Sequence, residues 1–161
     1  MTKTGKIVVQ DTPIRVILGL QGKDYISLTD MAHFRDNDPF MVIGHWMRDL
    51  NTIEYLGLWE TINNPDFNPT EFGRFRTEAG YNAFTMSPKK WIESTNAIGI
   101  ISKSGRYGGT FAHRDIAFNF GMWLNSAFQL YVVKEFERLK EQESNPLLQQ
   151  WDIKRILRQS R

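Results

Sequence analysis

The sequence predicts an α+β fold with an N-terminal β-hairpin and several C-terminal helices. Short β-type runs occur near the N-terminus and around a glycine-rich segment, whereas Asx-Pro and Ser-Pro pairs mark helix starts between them. The chain has 161 residues, of which 41% are hydrophobic and 24% charged, and this composition is typical of a globular domain with one core. We therefore expect one main domain with an appended terminal element.

The first 35 residues alternate between β-type runs and turn residues. Valine and isoleucine recur on both sides of Asp11-Thr12-Pro13, which is a turn signal. Ser27 and Thr29 are both suitable N-cap residues for the short helix that follows. The predicted elements are a hairpin over 6–18, a third strand over 25–28 and a short helix over 30–34.

Cap signals and apolar periodicity define the later helices. Asp38-Pro39 combines an N-cap residue with proline at the first helical position, and Asn68-Pro69 and Ser87-Pro88 repeat that signature. Apolar residues after Pro39 follow a period of 3.6, and Gly57 is expected to weaken or end that helix. The predicted helices cover 39–56, 69–79, 88–97, 113–124 and 126–142, and Asn145-Pro146 opens a last one.

A glycine-rich hairpin, which we call the wing, is predicted between the strand at 98–102 and residues 111–112. Its turn holds Lys103, Arg106 and Tyr107 among glycines, which allow a close approach to a phosphate backbone. A nucleotide-binding loop is excluded because no lysine follows these glycines at the required spacing. The alternative is an ordinary hairpin turn.

The middle third of the chain is its only basic region. Residues 74–114 contain seven Lys or Arg and two Glu, whereas the whole chain has a net charge of +2. Aromatic residues are interleaved with these cations, as in many nucleic-acid-binding surfaces. The cations considered for phosphate contacts are Lys89, Lys90, Lys103, Arg106 and Arg114. The alternative is a solvated surface with an incidental excess of charge.

Several classes of function are disfavoured by the composition. The chain has no cysteine, its mean hydropathy is −0.42, and no apolar run approaches the roughly 20 residues of a membrane span. It also lacks the local motifs of zinc proteases and serine hydrolases. We therefore expect no metal, no cofactor, no catalytic activity and no membrane partner, and a cytoplasmic location.

Two consecutive predicted helices, over 28–35 and 39–56, have the arrangement of a helix-turn-helix. In that motif the second helix lies in the DNA major groove. Arg48, Asn51 and Thr52 are expected on its polar face, and Arg and Asn side chains bind guanine and adenine edges. The alternative is a polar face that contacts only solvent.

Several segments together resemble the KilA-N domain family of bacteriophages, large DNA viruses and bacterial mobile elements. They run in family order over roughly residues 20–140. The matching segments are YISLTDMA at 25–32, the stretch 43–60, WIE at 91–93, GIISK at 99–103, GRYGGT at 105–110, HRDIAF at 113–118 and the stretch 123–139.

This resemblance implies a winged-helix-like fold similar to the fungal APSES domain and a DNA-binding function. It assigns Arg48, Asn51 and Thr52 to the recognition helix and Lys103, Arg106 and Tyr107 to the wing. Our first hypothesis is a double-stranded DNA-binding regulator of a phage or mobile element. A nuclease is disfavoured because no clustered Asp/Glu motif is present.

The alternative hypothesis is a protein–protein interaction or oligomerisation module on the same fold. We divide the chain into a domain over 1–143 and a helical tail over 144–161, whose apolar residues suit a homo-oligomer formed through the C-terminal helices. The polar end at 158–161 suggests a chain that continues or has been trimmed.

Overall fold

The computed structural model of the protein describes residues 2–144. It contains a five-stranded antiparallel sheet in the order β1-β2-β3-β5-β4, with helices between and after the strands, and so confirms the α+β prediction. Of the predicted tail over 144–161, Ser144 is described and helical, whereas residues 145–161, with the helix opened by Asn145-Pro146, lie outside the described residues. The strands are β1 (Lys3–Val9), β2 (Thr12–Leu20), β3 (Lys23–Ser27), β4 (Ile100–Lys103) and β5 (Gly109–His113).

The helices begin where the cap signals predicted them. Asp38, Asn68 and Ser87 each accept a hydrogen bond from a backbone N–H of the following turn, and a proline occupies the first helical position after each of them. The helices are α1 (Leu28–Ala32), α2 (Pro39–Met47), α3 (Leu50–Asn63), α4 (Pro69–Glu78), α5 (Pro88–Thr95), α6 (Arg114–Leu124) and α7 (Ser126–Ser144).

The predicted single helix over 39–56 is wrong, because the chain forms two helices there. Arg48 ends α2, and Asp49 adopts an extended conformation whose side chain accepts a hydrogen bond from the backbone N–H of Asn51 at 2.9 Å. An aspartate in this geometry caps a new helix. Gly57 does not end the helix either, since α3 continues to Asn63.

The N-terminal hairpin is confirmed, but its turn is one residue earlier than predicted. Gln10 and Asp11 have φ of +49° and +64°, which is the left-handed geometry of a tight hairpin turn. Thr12 and Pro13 instead begin β2, where they pair with Val9 and Val8. Pro13 is tolerated because it stands near the end of the strand.

The main core lies between one face of the sheet and the helices. Ile14, Val16 and Ile26 of the sheet are buried there with Trp46 of α2 and Phe120 of α6. The opposite face of the sheet carries a smaller cluster, formed by Ile17, Tyr25 and Phe111. Because side chains alternate between the two faces along a strand, Ile17 of β2 and Phe111 of β5 lie on this second face, away from the main core.

Candidate nucleic-acid interface

The wing is the hairpin of β4 and β5, with a turn at residues 104–108. Lys103, Arg106 and Tyr107 are all exposed there, and the Tyr107 ring is 79% exposed although it is a large aromatic group. The guanidinium of Arg106 lies 5.7 Å from the centre of the Tyr107 ring. No Asp or Glu occurs between Glu93 and Asp115. The wing therefore presents positive charge with no carboxylate of its own to neutralise it.

The turn requires glycine at a position where the backbone doubles back on itself. A Cβ added to Gly108 would stand 2.1 Å from the carbonyl oxygen of Lys103, which is closer than any real side chain approaches a backbone atom. The tight turn brings Arg106 and Tyr107 to the tip of the hairpin, where nothing in the described chain covers them.

A second group of predicted contacts stands at the junction of α2 and α3. Arg48 is the C-cap residue of α2, Asn51 is the second residue of α3, and both side chains are exposed. Thr52, by contrast, is only 5% exposed, so the expectation that it stands on the polar face is wrong. The break at Asp49 rotates the start of α3, and this rotation turns Thr52 toward the core.

The helix α3 itself carries no Lys or Arg. Its exposed charge is the carboxylate of Glu54, and its exposed apolar residues include Leu58 and Ile62. A phosphate backbone would consequently be attracted by residues outside α3, not by the helix.

Arg114 precedes Asp115, a residue that contacts the middle of α3. The Tyr55 hydroxyl donates to the backbone oxygen of Asp115 at 3.1 Å, and Trp59 Nε1 donates to the Asp115 carboxylate at 3.1 Å. Asn51 is one helical turn before Tyr55, on the same side of α3. Arg114 thus follows the end of β5 that lies beside α3, whereas the wing turn is at the other end of β5, about 13 Å away.

Lys89 and Lys90 are adjacent in sequence but face different neighbours. Lys89 borders a groove of about 310 Å³ together with Ile101 and Ser102 of β4. The ammonium of Lys90 lies 5.4 Å from the centre of the Phe75 ring of α4. The contacts therefore place Lys89 next to the wing strand and Lys90 against α4.

A buried carboxylate that was not predicted from the sequence, Glu60, joins α3 to the base of the wing. Glu60 accepts hydrogen bonds from the backbone N–H groups of Ile98 at 3.0 Å and Gly99 at 2.7 Å, and from the Asn64 side chain at 2.9 Å. Burial raises the pKa of Glu60, while these three donors act in the opposite direction. The Tyr25 hydroxyl donates to the Ile98 carbonyl at 2.8 Å, which fixes the same segment from the sheet.

His113 caps α6 at the end of β5. Its Nδ1 accepts a hydrogen bond from the backbone N–H of Asp115 at 3.1 Å, and its ring packs 4.9 Å from that of Trp59. Burial lowers the pKa of His113, although the charge of Asp115 opposes this effect. A neutral imidazole suits the cap, because an acceptor at Nδ1 carries no proton.

The described residues were also compared with the requirements of a metal site and of a membrane-spanning helix. Within residues 2–144, no three His, Asp or Glu side chains come together as metal ligands. None of the helices in that range combines the length and the apolar character needed to cross a bilayer.

Comparison with known proteins identifies the family. The model of the KilA-N domain matches residues 10–142, a range that includes β2, the α2–α3 junction, the wing and most of α7. No curated protein and no solved structure gave a significant match. KilA-N domains are DNA-binding-type domains of phage and mobile-element proteins. The chain therefore belongs to the KilA-N domain family.

Proposed function

We propose that the protein binds double-stranded DNA as a regulator carried by a phage or another mobile element. The observation that carries the proposal is the wing, in which exposed Lys103, Arg106 and Tyr107 stand on a hairpin tip without any carboxylate of their own. Cations on a narrow hairpin can follow the phosphate backbone, and glycines allow the close approach. A DNA partner would place the protein in the cytoplasm of a bacterial host.

The α2–α3 junction is the part of the proposed DNA-binding surface that is suited to contacting bases. Arg48 and Asn51 carry the side chains that form paired hydrogen bonds with guanine and adenine. Arg114, next to the residue that contacts the middle of α3, would contact an adjacent phosphate. Lys89 would extend the phosphate contacts of the wing along β4, and Lys90 would add charge on the α4 side.

The salt dependence of duplex binding tests the wing. About four phosphate contacts predict that log affinity falls with log salt concentration at a slope near −4. The variant K103Q/R106Q should lower the magnitude of that slope by about 1.8 and weaken all duplexes alike. The matched control is K6Q/K134Q, which removes two exposed cations from β1 and α7. If the control variant binds duplex as weakly as the wing variant does, the proposal is contradicted, since the overall charge of the protein would then explain the binding.

The base-reading role has its own test. Selection of bound duplexes from a random pool should yield a preferred site for the natural chain, and N51A or R48A should relax the preference at one base pair each. If R48A and N51A lower the affinity for every duplex equally, Arg48 and Asn51 contact the phosphate backbone and not the bases.

A second candidate function is protein–protein interaction, and one observation favours it. The side chains of Leu58 and Ile62, which are 59% and 72% exposed, stand four residues apart on α3, where no cation accompanies them. Light scattering on the full chain and on L58S/I62S tests this surface. A chain ended at Glu143 tests whether the tail forms a homo-oligomer. Assembly without duplex binding would favour this second function.

A further inference from the structure

The wing turn is held in place by Arg15, a residue far from it in sequence. Arg15 lies on β2, which is not a neighbour of either wing strand in the sheet. Its Nη1 nevertheless donates to the backbone oxygen of Tyr107 at 2.7 Å. The guanidinium also lies 5.3 Å from the centre of the Phe111 ring of β5. These contacts tie the tip of the wing to the body of the sheet.

Asp30 sets the orientation of the Arg15 guanidinium. Its Oδ2 accepts from both the backbone N–H and Nε of Arg15 at 2.8 Å, and its Oδ1 accepts from Nη2 at 3.1 Å. The Asp30 side chain is mostly buried, at 14% exposure. A carboxylate that accepts from two N–H groups on one edge of a guanidinium fixes its plane, and the remaining Nη1 is thereby directed at the Tyr107 carbonyl.

A second hydrogen bond holds the wing strand beside α1. The backbone N–H of Thr110 donates to Thr29 Oγ1 at 2.9 Å. Gly109 has φ of +136°, and a Cβ there would stand 2.9 Å from Thr29 Oγ1 and 3.3 Å from Arg15 Nη2. The backbone of the wing at Gly109 therefore passes directly over the side chains of Thr29 and Arg15, which belong to α1 and β2.

We infer that Arg15 is a positioning residue for DNA binding, which holds the wing in the orientation that meets the duplex. The inference rests on the proposed function of the wing. A loop that is ordered before binding loses less conformational entropy when it binds, so its contacts contribute more affinity. Asp30 neutralises the charge of Arg15, and the residue consequently acts through the wing and not as a phosphate contact.

The variant R15K separates position from charge, because net charge is unchanged. Lysine can pair with Asp30 but cannot also hold the Tyr107 carbonyl in the same geometry. We expect duplex binding about tenfold weaker in R15K, with faster amide exchange at Thr110. The matched control is R74K on α4, where Arg74 pairs with Glu71 and Glu78 away from the wing, and the affinity of this variant should stay unchanged. T29V, which removes only the hydrogen bond from Thr110 to Thr29, should weaken duplex binding several-fold. It replaces R15K as the test if R15K does not fold.

A double-mutant cycle with K103Q/R106Q decides between the explanations. In that background R15K should change affinity less than twofold, since the wing no longer contributes its cations. A loss as large as in the natural chain would overturn the inference, and so would R15K and T29V binding at full strength. If K103Q/R106Q itself binds at full strength, the proposed role of the wing fails and this inference fails with it.

Discussion

The replacement of Gly57 by alanine tests how α3 and α4 pack against each other. Gly57 is buried in the middle of α3, and the Phe72 ring of α4 lies directly over it. A Cβ at this position would stand 2.1, 2.2 and 2.5 Å from three carbons of that ring. The ring would have to leave its place beside Phe67 and Trp91, whose ring centres are 5.8 and 6.2 Å away.

Two opposing effects determine the size of the change. Alanine in a helix interior is favoured over glycine by about 1 kcal/mol. Overpacking this part of the core, by displacing a half-buried phenylalanine ring, costs about 1–3 kcal/mol. Because three ring atoms overlap by more than 1 Å, we expect the upper end of that cost. The net result for G57A is a loss of about 2 kcal/mol in the free energy of unfolding.

The matched control is G44A on α2, because no atom lies within 4 Å of a Cβ placed there. It should raise the free energy of unfolding by about 0.5–1 kcal/mol. Urea denaturation followed by far-UV circular dichroism measures both variants, and thermal unfolding should show G57A about 4–8 °C below the natural chain. If G57A is as stable as G44A, the packing of Phe72 on Gly57 is not as described.

Three further predictions concern the junction and the cap of α6. Because burial lowers the pKa of His113 from its ordinary value of 6.5, the fold disfavours its charged form, and the free energy of unfolding should fall as the pH drops below about 6.5. In H113N, which keeps a side chain suited to capping, urea denaturation at pH 7.5 and 5.5 should show a smaller difference. D49A should lose about 1 kcal/mol of stability and yet bind duplex more tightly, because a negative charge next to Arg48 in the chain is removed. D49S also removes that charge but should keep the cap. N51A should weaken duplex binding and leave the free energy of unfolding unchanged, whereas T52A should lower the free energy of unfolding and leave duplex binding unchanged. If N51A is destabilised and T52A binds more weakly, the assignment of the exposed face is contradicted.

Local chemistry explains which elements could be predicted from sequence. The helices after Asp38, Asn68 and Ser87 start where predicted, because the cap side chain and the N–H groups that it satisfies are within three residues of each other. The division between α2 and α3 was missed because Trp46, Leu50 and Ile53 keep an apolar spacing of four and three residues across the break. Asp49 was the available signal, since aspartate is a good N-cap and a poor helix former.

The burial of Glu60 could have been predicted from its position in the helical repeat of α3. It stands seven residues after Ile53 and three after Gly57, so it belongs to the buried stripe of α3. A carboxylate on such a stripe must find hydrogen-bond donors. Those donors, the N–H groups of Ile98 and Gly99, are 38 and 39 residues away, and no local pattern connects them to α3.

The helix starts after Asp38, Asn68 and Ser87, the hairpin at each end of the sheet and the acid-free stretch of the wing could be predicted from the sequence, because they depend on residues close together in the chain. The contact of Arg15 with the Tyr107 carbonyl, the burial of Thr52 and the different neighbours of Lys89 and Lys90 became known only from the packed fold. The reason is geometric, since such contacts exist only after strands and helices distant in sequence have packed together in one arrangement.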